Sequence, residues 1–140
     1  MPTTPMNNSA NHHVRARLTQ AIKLNRMGNQ SAALRILKPL AISHPRSAPV
    51  AGYLGGIYFE AGRIDEAVEC FRRASTLSPR SELASLGLFH SLWATGDRNG
   101  ALAEMRRFVS IAPSAEYARL IEDLAREAAS KLATRRRATA

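Results

Sequence analysis

The chain has 140 residues, with 20 Lys plus Arg against 11 Asp plus Glu, and a formal net charge of +9. A hydrophobic fraction of 45% is ordinary for a globular protein, so one compact domain or a short repeat array is expected rather than general disorder. One cysteine, Cys70, excludes an internal disulfide framework and any multi-thiolate zinc site.

Residues 1–13 read MPTTPMNNSANHH, with no charged n-region and no apolar run. They are expected to form a disordered leader rather than an export signal. With the lone thiol, this favours a reducing, cytoplasmic setting. No apolar run approaches the roughly 20 residues of a membrane span. The first acidic residue is Glu60, and the basic stretch before it resembles an organellar transit segment in composition. The periodicity that follows places it in folded structure instead.

Gly28, Gly62 and Gly96 recur every 34 residues, as do Pro45, Pro79 and Pro113, and Ala33, Ala67 and Ala101. Three units follow: 14–47, 48–81 and 82–115. Each reads as two helices. In the middle unit the first spans about 48–61 and the second about 64–77. Gly62 lies between them, where a residue free to take positive φ can end a helix. Asp65 and Glu66 suit the start of the second helix, and Arg72 and Arg73 its end. Gly55 and Ala67 let the two helices approach, and Tyr58 and Phe71 fill the space beside them. Pro39 predicts a kinked or short second helix in the first unit. One such pair cannot bury both its faces, so neighbours must stack into a continuous core.

Residues 116–133 put Tyr117, Leu120, Ile121, Leu124 and Ala128 on one face of a helix. Glu116, Glu122, Asp123, Arg126 and Glu127 solvate the other, as a capping helix requires. Residues 134–140, with Arg135, Arg136 and Arg137, form a frayed basic tail.

The middle unit carries Leu54, Gly55, Tyr58, Ala67, Phe71 and Pro79 at the spacings of W-x2-L-G-x2-Y…A-x3-F…P, with Ala51 in place of Trp. The chain therefore resembles the tetratricopeptide repeat family over 14–115. The first unit keeps Ala21, Gly28, Ala33, Leu37 and Pro45. The third keeps Leu88, Gly96, Ala101, Met105 and Pro113. It has Phe89 and Phe108 where small residues are expected, which predicts looser packing or a register shift, since Leu86-Gly87 mimics the motif two residues early. The resemblance implies an all-α fold, a right-handed superhelix of three antiparallel helix pairs plus a C-terminal capping helix. It also implies that the first helix of each pair lines a concave groove that receives a peptide or helix of a partner protein.

Carried onto this chain, the groove positions are Arg15, Leu18, Thr19, Ile22 and Arg26 in unit one. Unit two supplies Gly52, Tyr53, Gly56, Phe59 and Glu60. Unit three supplies Leu83, Leu86, Gly87, His90 and Trp93. The spacing within each set fits one helical face. Co-chaperone members clamp a C-terminal carboxylate with Lys, Asn and Arg. Leu18, Ile22, Tyr53, Leu83 and Gly87 stand at the corresponding places, so that clamp is missing. What remains is an apolar, aromatic stripe in which Gly52, Gly56 and Gly87 open room for a close approach. A stripe at helical spacing equally describes buried core, and both readings stay open.

Nothing in the pattern suggests catalysis, a cofactor or a metal. His12 and His13 lie in the leader, and His44 reads as a solvated turn residue. Cys70 has no neighbouring base, and no His pair has helical zinc-site spacing. The charge is uneven. Unit one holds Arg15, Arg17, Lys23, Arg26, Arg35, Lys38 and Arg46 with no acid. Units two and three are balanced, and residues 116–140 are weakly basic. The favoured expectation is an adaptor or chaperone-like protein-binding module, taking an apolar segment with an acidic flank. Alternatives are a nucleic-acid or anionic-surface binder using unit one and the Arg tail, and a self-associating module. The architecture is also similar to class II chaperones of type III secretion translocators, with no motif beyond the repeats to support it.

Overall fold

A computed structural model describes residues 6–139, in seven helices. They are α1 (Met6–Arg26), α2 (Gln30–Ser43), α3 (Ala48–Glu60), α4 (Ile64–Leu77), α5 (Glu82–Thr95), α6 (Arg98–Val109) and α7 (Ala115–Ala138). The three expected pairs are α1–α2, α3–α4 and α5–α6, and α7 caps the array.

The turns within pairs are built the same way three times. Gly28, Gly62 and Gly96 take φ of +82°, +77° and +89°, the left-handed region that favours glycine. The next amide then reaches back five residues: Asn29 to Leu24 O at 2.9 Å, Arg63 to Tyr58 O at 2.8 Å, Asp97 to Leu92 O at 3.0 Å. This is a Schellman closure, repeated at 34-residue spacing. It settles the third repeat in the 34-residue register and removes the two-residue shift that Leu86-Gly87 suggested. Side chains cap the opposite ends. Asn29 accepts from Ala32 N and Asp97 from Gly100 N, while Ser47, Ser81 and Ser114 cap α3, α5 and α7.

The first helices contact one another, α1 with α3 and α3 with α5, while no comparable contact joins α2 to α4 or α4 to α6. The array therefore curves with α1, α3 and α5 on its inner side. Ala33, Ala67 and Ala101 are completely buried where the two helices of a pair cross. Phe71 of α4 reaches through to the inner layer. Its ring lies 3.1 Å from where a Cβ on Gly55 would be, and a Cβ on Gly87 of α5 would overlap it. Gly87 is therefore consumed by packing and does not open room for a partner, contrary to the expectation from its groove position.

The third repeat is not loosened by its two phenylalanines. Phe89 and Phe108 are buried, and both meet Tyr117 of α7, at ring-centroid distances of 5.8 and 5.7 Å. The added ring volume is what holds the cap. A polar cluster backs it. The Tyr117 hydroxyl lies 2.7 Å from Ser85 Oγ. Nearby, Arg107 donates to Glu104, to Ser75 Oγ and to the Pro79 carbonyl. Glu104 is buried where Cys70 and Ile36 stand in the other repeats. Burial pushes the Tyr117 phenol up to about 12, against the opposing Ser85 hydrogen bond. Burial also works to raise Glu104, but hydrogen bonds from Arg107, Ser85 and Ser75, with the Arg107 charge, hold it below the usual carboxylate range.

The ends of the chain differ from expectation. Residues 6–13 of the expected leader belong to α1, and 1–5 lie outside the described residues. The capping helix starts at Ala115 and continues through the expected tail to Ala138. Arg and Ala are strong helix formers, and the Glu127–Lys131 ion pair supports the extension. Of the expected apolar face of α7, Tyr117 is buried, Leu120 and Leu124 are half-buried, and Ile121 and Ala128 are exposed. Helix α2 keeps the same 14 residues as α4 despite Pro39, so it is not shortened.

The glycines give a sharp test. Gly87→Ala must displace the Phe71 ring and should cost about 1–3 kcal/mol in urea unfolding. Gly56→Ala meets nothing within 4 Å and should be neutral or stabilising by up to about 1 kcal/mol. A second test is acid stability. The lowered Glu104 value means its contribution is present above the unfolded carboxylate range, near pH 4.3, and is lost as pH falls through the folded value. Across that window the thermal midpoint of Glu104→Gln should fall less steeply than that of the wild type.

Candidate functional site

The inner surface of α3 is low because Gly52 and Gly56 stand one turn apart with open space beyond each Cα. Tyr53 rises beside them and is 46% exposed. Two cavities flank this ridge and share these three residues. One, of about 450 Å³, lies towards α5. Its floor is Phe71 and Ala74 of α4, and its rim includes Pro49 and Leu83. Leu83 is 82% exposed. The other, of about 290 Å³, lies towards α1 and is lined by Ile22, Asn25, Arg26, Leu37, Ile57 and Glu60.

The structure thus brings Ile22, Arg26, Tyr53 and Glu60 together around the α3 ridge, with Gly52, Gly56 and Leu83. Arg15 is exposed three turns before Arg26, outside either cavity, and Leu18 is half-buried against the core. Phe59 is partly exposed at the end of α3 and lines neither cavity. Leu86 is half-buried against the core, and His90 is exposed, edge-on to Phe89 at 5.3 Å. Trp93 is half-buried, stacked on Phe89 at 5.6 Å, and the Arg98 guanidinium sits 4.6 Å from its ring centre. Both third-repeat rings thus border Phe89, with His90 exposed and Trp93 half-buried.

Several lining residues were not anticipated. Phe71 and Ala74 come from the outer helix α4, and Ser78 and Ser81 from the α4–α5 turn. Only tertiary packing brings them to the inner surface. Asn25 was missed as well. Its Nδ2 donates to Glu60 Oε2 at 3.4 Å, while its Oδ1 is buried with no partner. Both 34-residue equivalents, Phe59 and Trp93, are aromatic, so the polar residue at this position was a usable signal.

The electrostatics match the segment charges. Among the described residues, the seven cations of unit one form no ion pair, whereas Arg63, Arg107, Arg119, Arg126 and Lys131 are paired. Arg26 lines the α1-side cavity, and Arg15 is exposed on the same helix. Arg35 and Lys38 are exposed on α2, and Lys38 lies 5.9 Å from the Tyr58 ring centre. Burial pushes the half-buried Cys70 thiol up. His44 is half-buried rather than freely solvated, with Nδ1 3.0 Å from Ser43 Oγ. No group of three His, Cys, Asp or Glu among the described residues could hold a metal ion. No described helix is long and apolar enough to cross a membrane.

Stacked helix pairs, a 34-residue Schellman turn and a curved inner face define a helical-repeat scaffold of the tetratricopeptide class. A tetratricopeptide repeat family model matches residues 58–124, and the helical-repeat fold is of that kind. No curated protein sequence matches it. Among solved structures, the chain is similar to the Yersinia enterocolitica type III secretion translocator chaperone SycD, at 15% identity and a TM-score of 0.68, over 86% of this chain and 93% of that one. It is similar to a mutant of MamA at 20% identity and a TM-score of 0.64, over 73% and 74%. It is also similar to the second tetratricopeptide domain of Spaghetti (RPAP3), bound to the HSP90 peptide SRMEEVD, at 12% identity and a TM-score of 0.65, over 71% and 92%. At these identities the likeness is one of fold.

A site-level check follows from Trp93. Arg98→Ala uncovers one face of the indole, and its fluorescence maximum should move to longer wavelength without loss of the folded transition. An unchanged spectrum would mean that the cation does not shield the ring.

Proposed function

We propose that this chain is a non-enzymatic, cytoplasmic adaptor or chaperone-like scaffold that binds a peptide or helix of another protein on its inner face. The observation that carries this reading is the glycine ridge of α3, open on both sides into cavities that share Gly52, Tyr53 and Gly56. Water-exposed apolar surface of this kind, beside Tyr53 and Leu83, gains free energy when a partner covers it. The folded framework leaves the surface preformed, which lowers the entropic cost of capture. The missing carboxylate clamp argues for a ligand unlike the C-terminal peptides of the co-chaperone members. The likeness to SycD supports the scaffold and leaves the partner open.

The unpaired cations of unit one support the competing polyanion reading. They are spread over α1, α2 and the α2–α3 turn, and of them only Arg26 lines an inner cavity, which favours local contacts to an acidic segment over a continuous phosphate track. Affinity capture from the native cell separates the two. Tyr53→Ala with Phe59→Ala should lose the bound proteins, while Arg72→Ala with Arg73→Ala on the outer face should retain them. Equal recovery with both variants would refute the inner-face reading. Salt-sensitive capture of nucleic acid by wild type, abolished by substituting the unit-one cations, would establish the other.

A further inference from the structure

We infer that two copies of this chain pair antiparallel along α7, through an exposed strip made of Ile121, Ala125, Ala128 and Leu132. This goes beyond the inner-face reading, because α7 lines neither inner cavity.

The strip lies on a helix that outruns the array. Helix α5 spans Glu82–Thr95, so a first helix placed 34 residues later would end at residue 129, yet α7 continues to Ala138. Every residue from Ala125 to Thr139 is exposed. A free helical run of that length is marginal in water, and a partner laid along it would hold it. Tyr117 and Leu120 pack against the core. With about 3.6 residues per turn, Ile121, Ala125, Ala128 and Leu132 fall within about 60° of one another, to one side of that contact. Ile121 is 44% exposed and Leu132 57%. Apolar side chains left in water along one helix face gain free energy when a second helix covers them.

Two features select a second copy as that helix. The strip is palindromic: large, small, small, large. Turned end for end, it sets Ile121 opposite Leu132 and Ala125 opposite Ala128 of the other copy, as a contact between identical surfaces requires. The alanines at the crossing let the two axes approach to about 8 Å, the close end of helix packing. The contact from Ile121 to Leu132 is about 16 Å long. The charges run the same way. Residues 115–127 hold Glu116, Glu122, Asp123 and Glu127 against Arg119 and Arg126, whereas 128–138 hold Lys131, Arg135, Arg136 and Arg137 with no acid. Ion pairs inside α7 engage Arg119, Arg126 and Lys131. Among the described residues they leave Glu122 in the first half and the three arginines in the second without an ion pair. Antiparallel pairing lays each acid-rich half beside the basic half of the other copy, while parallel pairing would bring the arginines together.

The test is the mass of the full chain by sedimentation velocity, from about 200 μM, where a dimer of micromolar affinity is populated, downward by dilution. The expected mass at low salt is twice 15.3 kDa, moving toward 15.3 kDa on dilution and at high salt. Ala128→Glu, at an exposed helical position, should leave the urea transition of the repeats unchanged and weaken pairing at least about tenfold. Arg135→Glu with Arg136→Glu and Arg137→Glu should be monomeric, as should Glu122→Lys with Asp123→Lys, and the two variants mixed should pair again. Orientation is read with a short bismaleimide in a Cys70→Ser background. Ile121→Cys mixed with Leu132→Cys should cross-link, and Leu132→Cys alone should not. Four results would overturn the inference: a chain that stays monomeric, including one whose Arg tail captures nucleic acid instead; a dimer indifferent to Ala128→Glu; mixed charge variants that fail to pair; and cross-linking of Leu132→Cys with itself.

Discussion

One aromatic ring organises the middle of this molecule. Phe71 belongs to the outer helix α4, yet its ring fills the gap between Gly55 on α3 and Gly87 on α5. No side chain larger than hydrogen fits at Gly87 while the ring is there. Two first helices from successive repeats are thereby held at a distance set by one ring. The same ring forms the floor of the larger inner cavity. Repeat stacking and the candidate site therefore share one contact, and neither can be altered without the other.

Much of the fold was legible because it is periodic. Gly28, Gly62 and Gly96 mark a turn that needs positive φ, and a requirement of that kind reads directly from residue type. Ala33, Ala67 and Ala101 mark helix crossings with no room for more than a methyl group. The departures were harder. Phe89 and Phe108 look like errors in the repeat until Tyr117 is placed against them, since a ring outside the period can be justified only by a neighbour from another element. The helical ends at Met6 and Ala138 had no apolar period to announce them, and Arg and Ala propensity accounts for the second.

The site was legible in part, for the same reason. Ile22, Arg26, Tyr53 and Glu60 follow from helical faces on α1 and α3, and they do meet around one ridge. Leu86, His90 and Trp93 obey the same spacing, but Leu86 packs against the core and His90 and Trp93 border the Phe89 ring, which itself meets Tyr117 of α7. Gly87 shows the limit most clearly. A glycine that leaves room on a helix wheel is filled in three dimensions by Phe71. The charge repays similar care. A net +9 suggests a broadly basic surface, yet most of the excess lies in the first repeat, and of its cations only Arg26 lines a groove cavity. The charge thus acts as one end of a polarised binding face.

The central claim is that Phe71 and the facing glycines form one coupled packing unit. A double-mutant cycle between Gly87→Ala and Phe71→Leu, followed by urea unfolding, tests it most directly. The account predicts that the cost of Gly87→Ala largely disappears once the ring is replaced by leucine, leaving a coupling energy of about 1 kcal/mol or more. Additive costs, with Gly87→Ala equally destabilising in both backgrounds, would contradict it.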